Sequence, residues 1–122
     1  MKNKVLIVDD ELIICEVAKD IIEMMNIESF TAQSLEDAVS CYRKHQNEIA
    51  VVILDYHLQE TSGIDILNAI KEINDDFIPV LASGSYLLEE KSRLFEHGFR
   101  EILSKPYCFD EMKKLLIRFK IL

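Results

Sequence analysis

The sequence predicts an α/β fold in which helices cover both faces of a five-stranded parallel sheet. Short apolar runs without alternation are typical of strands that are buried on both faces. Five such runs alternate with five helical patterns along the chain, which indicates a parallel rather than an antiparallel sheet. The 122 residues suffice for a single core, so we expect one domain over residues 1–122. Right-handed crossovers favour a doubly wound arrangement.

The first half of the chain contains three predicted strands and two predicted helices. The strands are Lys4–Val8, the more polar Ile27–Ala32, and Ile49–Leu54, which is the most apolar. The first helix has apolar residues at helical spacing, at Ile14, Val17, Ala18, Ile21 and Met25. The second opens at the capping-box-like Ser34-Leu35-Glu36-Asp37, and its apolar face carries Ala38, Val39 and Tyr42.

The second half of the chain continues the alternation. A third helix follows Gly63, with its apolar residues at Ile64, Leu67, Ile70 and Ile73. Strand four is Ile78–Ala82, where Pro79 is tolerated near the start. A weaker helix over Leu87–His97 precedes Gly98, which is placed to end it. The short strand Glu101–Leu103 leads to a last helix whose inner face carries Met112, Leu115, Leu116 and Phe119.

Composition and charge narrow the class of protein. A net charge of −8 disfavours binding to nucleic acid or to an anionic membrane, and neither is an expected partner. The apolar runs are far shorter than the roughly 18 residues of a membrane span, and no signal peptide is visible. Three widely spaced cysteines, Cys15, Cys41 and Cys108, without a Cys-x-x-Cys pair, indicate reduced thiols and a cytoplasmic location.

Polar residues follow four of the five predicted strands. Asp9 and Asp10 follow the first strand, Asp55 the third, Ser83 the fourth and Lys105 the fifth. The second strand ends without a charged group. In open α/β sheets, ligands bind outside the carboxyl ends of the strands. The flavodoxin-like order 2-1-3-4-5 puts the second strand at an edge and the four polar ends side by side.

These residue types together suggest phosphoryl chemistry. Three carboxylates crowded together repel strongly and need a cation. Oxygen ligands with room for water suit magnesium, which binds through carboxylates and phosphate. A lysine and a serine hydroxyl suit the other oxygens of a phosphoryl group. Asp55 would then be a nucleophile that forms an aspartyl phosphate, with the metal and Lys105 stabilising the transferred charge.

The stretches "DD" (9–10), "ILDYHL" (53–58), "LASG" (81–84) and "SKPY" (104–107) resemble those of a response-regulator receiver domain, in order and over essentially the whole chain. The resemblance implies that Asp55 accepts a phosphoryl group from a histidine kinase or a histidine phosphotransfer protein. It further implies that Mg²⁺, or Mn²⁺ in its place, is held by Asp9, Asp10, Asp55 and the backbone carbonyl of His57. Ser83 and Lys105 would bind the phosphoryl oxygens, Pro106 would follow a cis peptide bond, and Gly63 matches the family glycine.

In this family, phosphorylation changes the surface formed by the fourth helix, the fifth strand and the last helix, which is also a surface for a homodimer. Four positions depart from the family pattern. Ile102 replaces an aromatic residue that rotates on activation, Gln59 replaces a proline, Gly84 replaces an alanine, and Cys108 stands where Ser or Thr often caps the last helix. The wording of the motifs is similar to receivers of hybrid sensor kinases.

The same residues are compatible with more than one function. The leading one is a signalling switch rather than an enzyme that acts on an external metabolite. A haloacid-dehalogenase-like phosphatase would need a second aspartate where His57 stands. A flavodoxin would need a phosphate loop where "VDDELI" (8–13) stands. A receiver that binds partners without phosphorylation is a further alternative. Finally, Asp9 or Asp10 is expected to serve also as the N-cap of the first helix.

Overall fold

The chain folds as a five-stranded parallel sheet of order β2-β1-β3-β4-β5, which confirms the predicted fold class and strand order. The computed structural model describes residues 2–56, 58, 61–84 and 95–122. The strands are β1 (Lys4–Val8), β2 (Ser29–Ala32), β3 (Ile49–Asp55), β4 (Ile78–Ser83) and β5 (Glu101–Ser104). Each crossover therefore returns the chain to the same end of the sheet.

Four helices lie in the described part of the chain: α1 (Leu12–Glu23), α2 (Leu35–His45), α3 (Gly63–Ile73) and the C-terminal α4 (Phe109–Arg118). None of these is long and apolar enough to cross a bilayer. Residues 87–94 of the predicted fourth helix lie outside the described residues. Residues 95 and 96 are helical, and Gly98 follows with φ of +112°, as expected for a glycine that ends a helix.

The sheet separates two layers of core. Successive residues of a strand point to opposite faces, so Val5 and Ile7 of β1 pack in the layer with α1 and α4, while Leu6 and Val8 pack in the layer with α2 and α3. All seven residues of β3 are buried. This explains why the central strands are apolar without alternation, and why β3 is a rigid support for the residue at its end.

The N-caps of α2 and α4 agree with the predictions from the sequence, and the N-cap of α1 does not. Ser34 caps α2, and its side chain accepts a hydrogen bond from the backbone N–H of Asp37 at 3.1 Å. Cys108 is the N-cap of α4 and forms no side-chain cap within the described chain, as its residue type predicts. The N-cap of α1 is Glu11, so the expectation that Asp9 or Asp10 would cap this helix was wrong.

The buried face of α1 also differs from the prediction. Cys15, Ala18 and Ile22 are buried, whereas Val17 is 43% exposed. The stripe 15-18-22-25 has the same helical spacing as the predicted 14-17-18-21-25. Both stripes are apolar and they overlap, so the sequence pattern does not decide which of them is buried. Contact between α1 and the sheet decides it.

Candidate functional site

The polar residues predicted at the strand ends meet at one edge of the sheet. The register pairs Val8 with Leu54 and Asp55 with Ala82, so the carboxyl ends of β1, β3 and β4 are level with one another. The backbone N–H of Asp9 donates to the carbonyl of Ala32 at 3.0 Å, which extends the pairing of β1 by one residue. The backbone pairing therefore fixes the position from which each of these side chains leaves the sheet.

Three carboxylates form a compact cluster at this edge. Each of Asp9, Asp10 and Asp55 offers one carboxylate oxygen, and these oxygens lie within 4.8 Å of one another. Asp9 is fully buried: its Oδ1 accepts a hydrogen bond from the N–H of Glu11 at 3.0 Å, and its Oδ2 accepts one from Lys105 at 2.6 Å. Asp10 is half-buried, and Asp55 is nearly buried with its side chain 10% exposed.

Lys105 supplies the balancing positive charge. Its Nζ lies 2.6 Å from Asp9 Oδ2 and 2.9 Å from Asp55 Oδ1, and its side chain is only 15% exposed. Burial by itself lowers the pKa of Lys105, but the hydrogen bonds to Asp9 and Asp55 outweigh that effect and raise the pKa above its ordinary value. The ammonium is therefore held in its charged form.

For Asp55, the effect of burial on the pKa outweighs that of the hydrogen bond, in contrast to Lys105. Burial is the main reason why its pKa is raised above the ordinary aspartate value, and the negative charges of Asp9 and Asp10 add to the increase. The hydrogen bond from Lys105 lowers the pKa but does not cancel the rise. The cluster thus stores electrostatic repulsion that a further cation relieves.

Gly63 lies directly against the end of β3. A Cβ atom at this position would stand 2.7 Å from the carbonyl oxygen of Asp55, too close for any side chain. The N–H of Gly63 donates to the carbonyl of Tyr56 at 3.2 Å, and the N–H of Tyr56 donates to Ala82 at 3.0 Å. The start of α3 and the end of β4 therefore hold the backbone around Asp55 from two sides.

The remaining predicted residues occupy the neighbouring strand ends. Ser83 is buried at the end of β4, and its carbonyl accepts a hydrogen bond from the N–H of Lys105 at 3.0 Å. The peptide bond between Lys105 and Pro106 is cis, as the resemblance implied. Ile102 is half-buried and packs in the layer with α2 and α3. The predicted carbonyl ligand at His57 lies outside the described residues.

Two residues near the cluster were not assigned to it from the sequence. The Cys15 thiol is buried and donates to the carbonyl of Asp9 at 3.3 Å, and burial raises its pKa to about 11. This thiol is a structural donor rather than a nucleophile. The hydroxyl of Tyr107 is buried, and burial, followed by the negative charges of Asp9 and Asp55, raises its pKa. Its position directly after Lys105-Pro106 was the available signal.

The donor set fits a hard divalent cation. Carboxylate oxygens are the ligands that Mg²⁺ prefers, and it usually binds through one or two carboxylates and several waters. Asp9, Asp10 and Asp55 supply only oxygen atoms, at mutual distances that one ion can span. Sulfur and imidazole ligands, which would select zinc, are not part of this cluster within the described chain.

Comparison with known proteins finds response regulators both among family models and among individual relatives. Residues 5–117 match the family described as response regulator receiver domain. The chain is 33% identical over 116 residues to the heme response regulator HssR of Staphylococcus saprophyticus, covering 94% of this chain but 49% of that protein. It is 26% identical over 108 residues to the polar-differentiation response regulator DivK of Brucella ovis, covering 87% of this chain and 86% of DivK.

A solved structure shares the fold. The complex of CheX with CheY, BeF₃ and Mg²⁺ from Borrelia burgdorferi superimposes with a TM-score of 0.86 at 24% identity, covering 95% of this chain and 88% of that one. The chain therefore spans about half the length of HssR and most of the length of DivK and of the chain matched in the solved complex.

Proposed function

This chain belongs to the response regulator receiver domain family, and on that premise we propose that Asp55 accepts a phosphoryl group from a phosphohistidine. The chain would act as a switch in two-component signalling or a phosphorelay. It would catalyse only its own phosphorylation and dephosphorylation, with no external metabolite as substrate. We place it in the cytoplasm, where histidine kinases carry their phosphohistidine.

The observation that carries this proposal is that Lys105 contacts two carboxylates of different accessibility, Asp9 and Asp55. Both oxygens of Asp9 accept hydrogen bonds, and the residue is fully buried, so a donor cannot reach it. Asp55 keeps 10% of its side chain exposed at the end of a rigid, buried strand. A nucleophile needs both access and fixed orientation, and Asp55 combines them.

In the proposed reaction, a carboxylate oxygen of Asp55 attacks the phosphorus of the phosphohistidine. The new O–P bond forms as the N–P bond breaks, and the imidazole nitrogen leaves with the bonding pair. Negative charge on the equatorial phosphoryl oxygens needs stabilisation in the transition state. Lys105, already held 2.9 Å from Asp55 Oδ1, supplies an ammonium there, and Ser83 lies on the next strand end as a hydroxyl donor.

Asp9, Asp10 and Asp55 are the residues that would hold Mg²⁺. When bound, the ion would neutralise charge on the carboxylates and on the phosphoryl oxygens. Lys105 alone balances only one of the three negative charges in the cluster. This imbalance, together with the raised pKa of Asp55, supports a requirement for a divalent cation.

The rim of the site supports docking of a protein donor. Leu12 and Ile13, at the start of α1, are 53% and 72% exposed and are separated from the acidic pair only by Glu11. Exposed apolar side chains next to a reactive carboxylate suit a partner that excludes water during transfer. We propose that a histidine kinase or a histidine phosphotransfer protein covers this rim.

The proposed output is a change in the surface made by the predicted helix over 87–97, β5 and α4. Lys105 follows β5 directly, so a shift of its ammonium toward a phosphoryl group would move the end of that strand. Ile117 of α4 is an apolar residue that is 51% exposed. Self-association through this surface is the proposed readout, measurable by sedimentation with and without a phosphoryl mimic.

The decisive test is intact mass after incubation with acetyl phosphate and Mg²⁺. We expect the gain of one phosphoryl group, and no gain with a chelator or in Asp55→Asn. Asp75→Asn, which changes an exposed aspartate in a loop, is the matched control and should be phosphorylated normally.

Two results would contradict the proposal. A folded chain that gains no mass would favour a receiver that binds partners without phosphorylation. A mass gain that persists in Asp55→Asn would mean that another residue is the acceptor.

A further inference from the structure

The buried face of α1 contains one residue with a hydrogen-bonding side chain, Cys15. Its neighbours on this face, Ala18 and Ile22, have only carbon atoms in their side chains. Cys15 is fully buried, and its Sγ donates to the backbone carbonyl of Asp9 at 3.3 Å. The same Sγ lies 3.8 Å from the carbonyl of Ala32, at the end of β2. The thiol therefore joins α1 to the loop after β1 and to the end of β2.

Asp9 is held at its N–H, its side chain and its carbonyl by different parts of the fold. Its N–H donates to the carbonyl of Ala32 at 3.0 Å, and its Oδ1 accepts from the N–H of Glu11 at 3.0 Å. Its carbonyl accepts from the Cys15 thiol. Because Asp9 is fully buried, this carbonyl needs a donor from the protein. A side chain of α1 supplies that donor.

The carbonyl that Cys15 contacts belongs to the peptide group between Asp9 and Asp10. A peptide group is planar, so a hydrogen bond to its oxygen restricts the backbone rotations on both sides of it. The carboxylates of these two residues, together with Asp55, offer the oxygens that lie within 4.8 Å of one another. Cys15 thus holds the link between two of the three carboxylates, and its own sulfur is not part of that cluster.

We propose that Cys15 is a positioning residue for the cation site, whose thiol holds the peptide group between Asp9 and Asp10 so that both carboxylates reach one divalent cation. This inference rests on the proposed function, which assigns Mg²⁺ to these carboxylates. Removal of a group that orients metal ligands weakens metal binding by about 10- to 100-fold. A thiol is a weak donor, so we expect the lower end of that range for Cys15.

Three substitutions separate the donor from the packing of the side chain. Serine and alanine are both smaller than cysteine, but only serine keeps a donor. Valine fills the space of the sulfur and has no donor. If the hydrogen bond matters, Cys15→Ala and Cys15→Val should therefore behave alike, although they change the packed volume in opposite directions. If only packing matters, Cys15→Ser should resemble Cys15→Ala.

The experiment measures Mg²⁺ binding by titration calorimetry for the unaltered chain and for the three variants. We expect an affinity about tenfold weaker in Cys15→Ala and in Cys15→Val, and an affinity close to that of the unaltered chain in Cys15→Ser. Thermal unfolding in chelator shows that each variant is folded; if Cys15→Ala is not, Cys15→Val provides the comparison with Cys15→Ser. Cys41→Ala is the control, because this half-buried thiol lies on α2, and its Mg²⁺ affinity should be unchanged.

The inference is overturned if the variants without a donor bind Mg²⁺ as tightly as the unaltered chain, or if Cys15→Ser loses as much affinity as Cys15→Ala. In either case, Mg²⁺ binding and phosphorylation of the unaltered chain leave the proposed function standing. If the unaltered chain itself binds no Mg²⁺, the proposed cation site and this inference both fail.

Discussion

At the scale of single residues, Gly63 is the most constrained position of the site. Its missing side chain lets α3 begin against the carbonyl of Asp55, where a Cβ would be 2.7 Å away from backbone that cannot easily move. We expect Gly63→Ala to lower the free energy of unfolding by about 1–3 kcal/mol, as overpacking does. It should also slow phosphorylation, because the strand end that carries Asp55 must shift.

Gly84→Ala is the control for this prediction. Within the described part of the chain, a Cβ at Gly84 meets no atom within 4 Å, and the residue is exposed. Denaturant unfolding should therefore separate the two variants clearly, with Gly84→Ala close to the unaltered chain. Equal stability of both variants would show that α3 can move away from Asp55 at little cost.

The sequence predicted the positions of the charged residues well, and for a physical reason. Parallel strands end at the same edge of the sheet, so strand order alone brings Asp9, Asp55 and Lys105 together. The buried position of Tyr107 could not be predicted in this way, because it depends on packing of the ring in the core layer with α1 and α4.

At the scale of helices and strands, the N-caps of α2 and α4 make an informative pair. Ser34 satisfies a backbone N–H of α2, whereas Cys108 provides no such bond for α4 within the described chain. Ser34→Ala should therefore cost about 1 kcal/mol of stability. Cys108→Ser should increase stability by a similar or smaller amount, because Cys108 already has the extended backbone of an N-cap.

Denaturant unfolding of both variants checks this prediction, with Cys108→Ala as the control that removes the thiol without adding a cap. A gain in Cys108→Ala equal to that in Cys108→Ser would assign the effect to loss of the thiol rather than to capping. No loss in Ser34→Ala would mean that water replaces the Ser34 bond to Asp37.

Strand boundaries show where the apolar pattern misleads. The second strand was predicted from Ile27, but β2 begins at Ser29. Asn26 has φ of +60°, and the N–H of Ile27 still bonds to the carbonyl of Ile22 at the end of α1. Ile27 is buried because it closes this turn over the core. Burial of a residue therefore reveals that it belongs to the core, and not which element it belongs to.

At the scale of the whole molecule, the acidic cluster links stability to pH and metal. Below an ordinary aspartate pKa of 3.8, Asp55 is protonated in both the folded and the unfolded chain. As the pH rises above 3.8, the unfolded chain ionises first, because folding raises the pKa of Asp55. Between pH 3.8 and the raised pKa of Asp55 in the folded chain, the contribution of Asp55 to folding stability therefore falls. Above this pKa, the contribution stays unfavourable without metal, including at neutral pH.

We expect Mg²⁺ to reverse this penalty. At a concentration one hundred times its dissociation constant, a ligand of the folded state adds about 2.7 kcal/mol of stability. The metal-dependent rise in melting temperature should disappear as the pH falls toward the pKa of Asp55, since the ligand must be ionised. Thermal unfolding between pH 4 and pH 8, with Mg²⁺ or chelator, measures both effects.

Asp55→Asn is the control at this scale. Without metal it should be more stable than the unaltered chain at neutral pH, because one buried negative charge is removed while Lys105 keeps Asp9. Its stabilisation by Mg²⁺ should be much smaller. An Asp55→Asn chain that is less stable without metal would show that the pairing of Asp55 with Lys105 outweighs the repulsion in the cluster.

The contact between Asp9 and Lys105 has a consequence for the newly made chain. It joins residues that are 96 positions apart, so the site is assembled only after β5 has taken its place at the edge of the sheet. A chain still being synthesised, or one cut before residue 100, contains Asp9, Asp10 and Asp55 but lacks the charge that balances them. If Asp55 accepts a phosphoryl group as proposed, this capacity is tied to completion of folding, and we expect an unfinished chain to lack it.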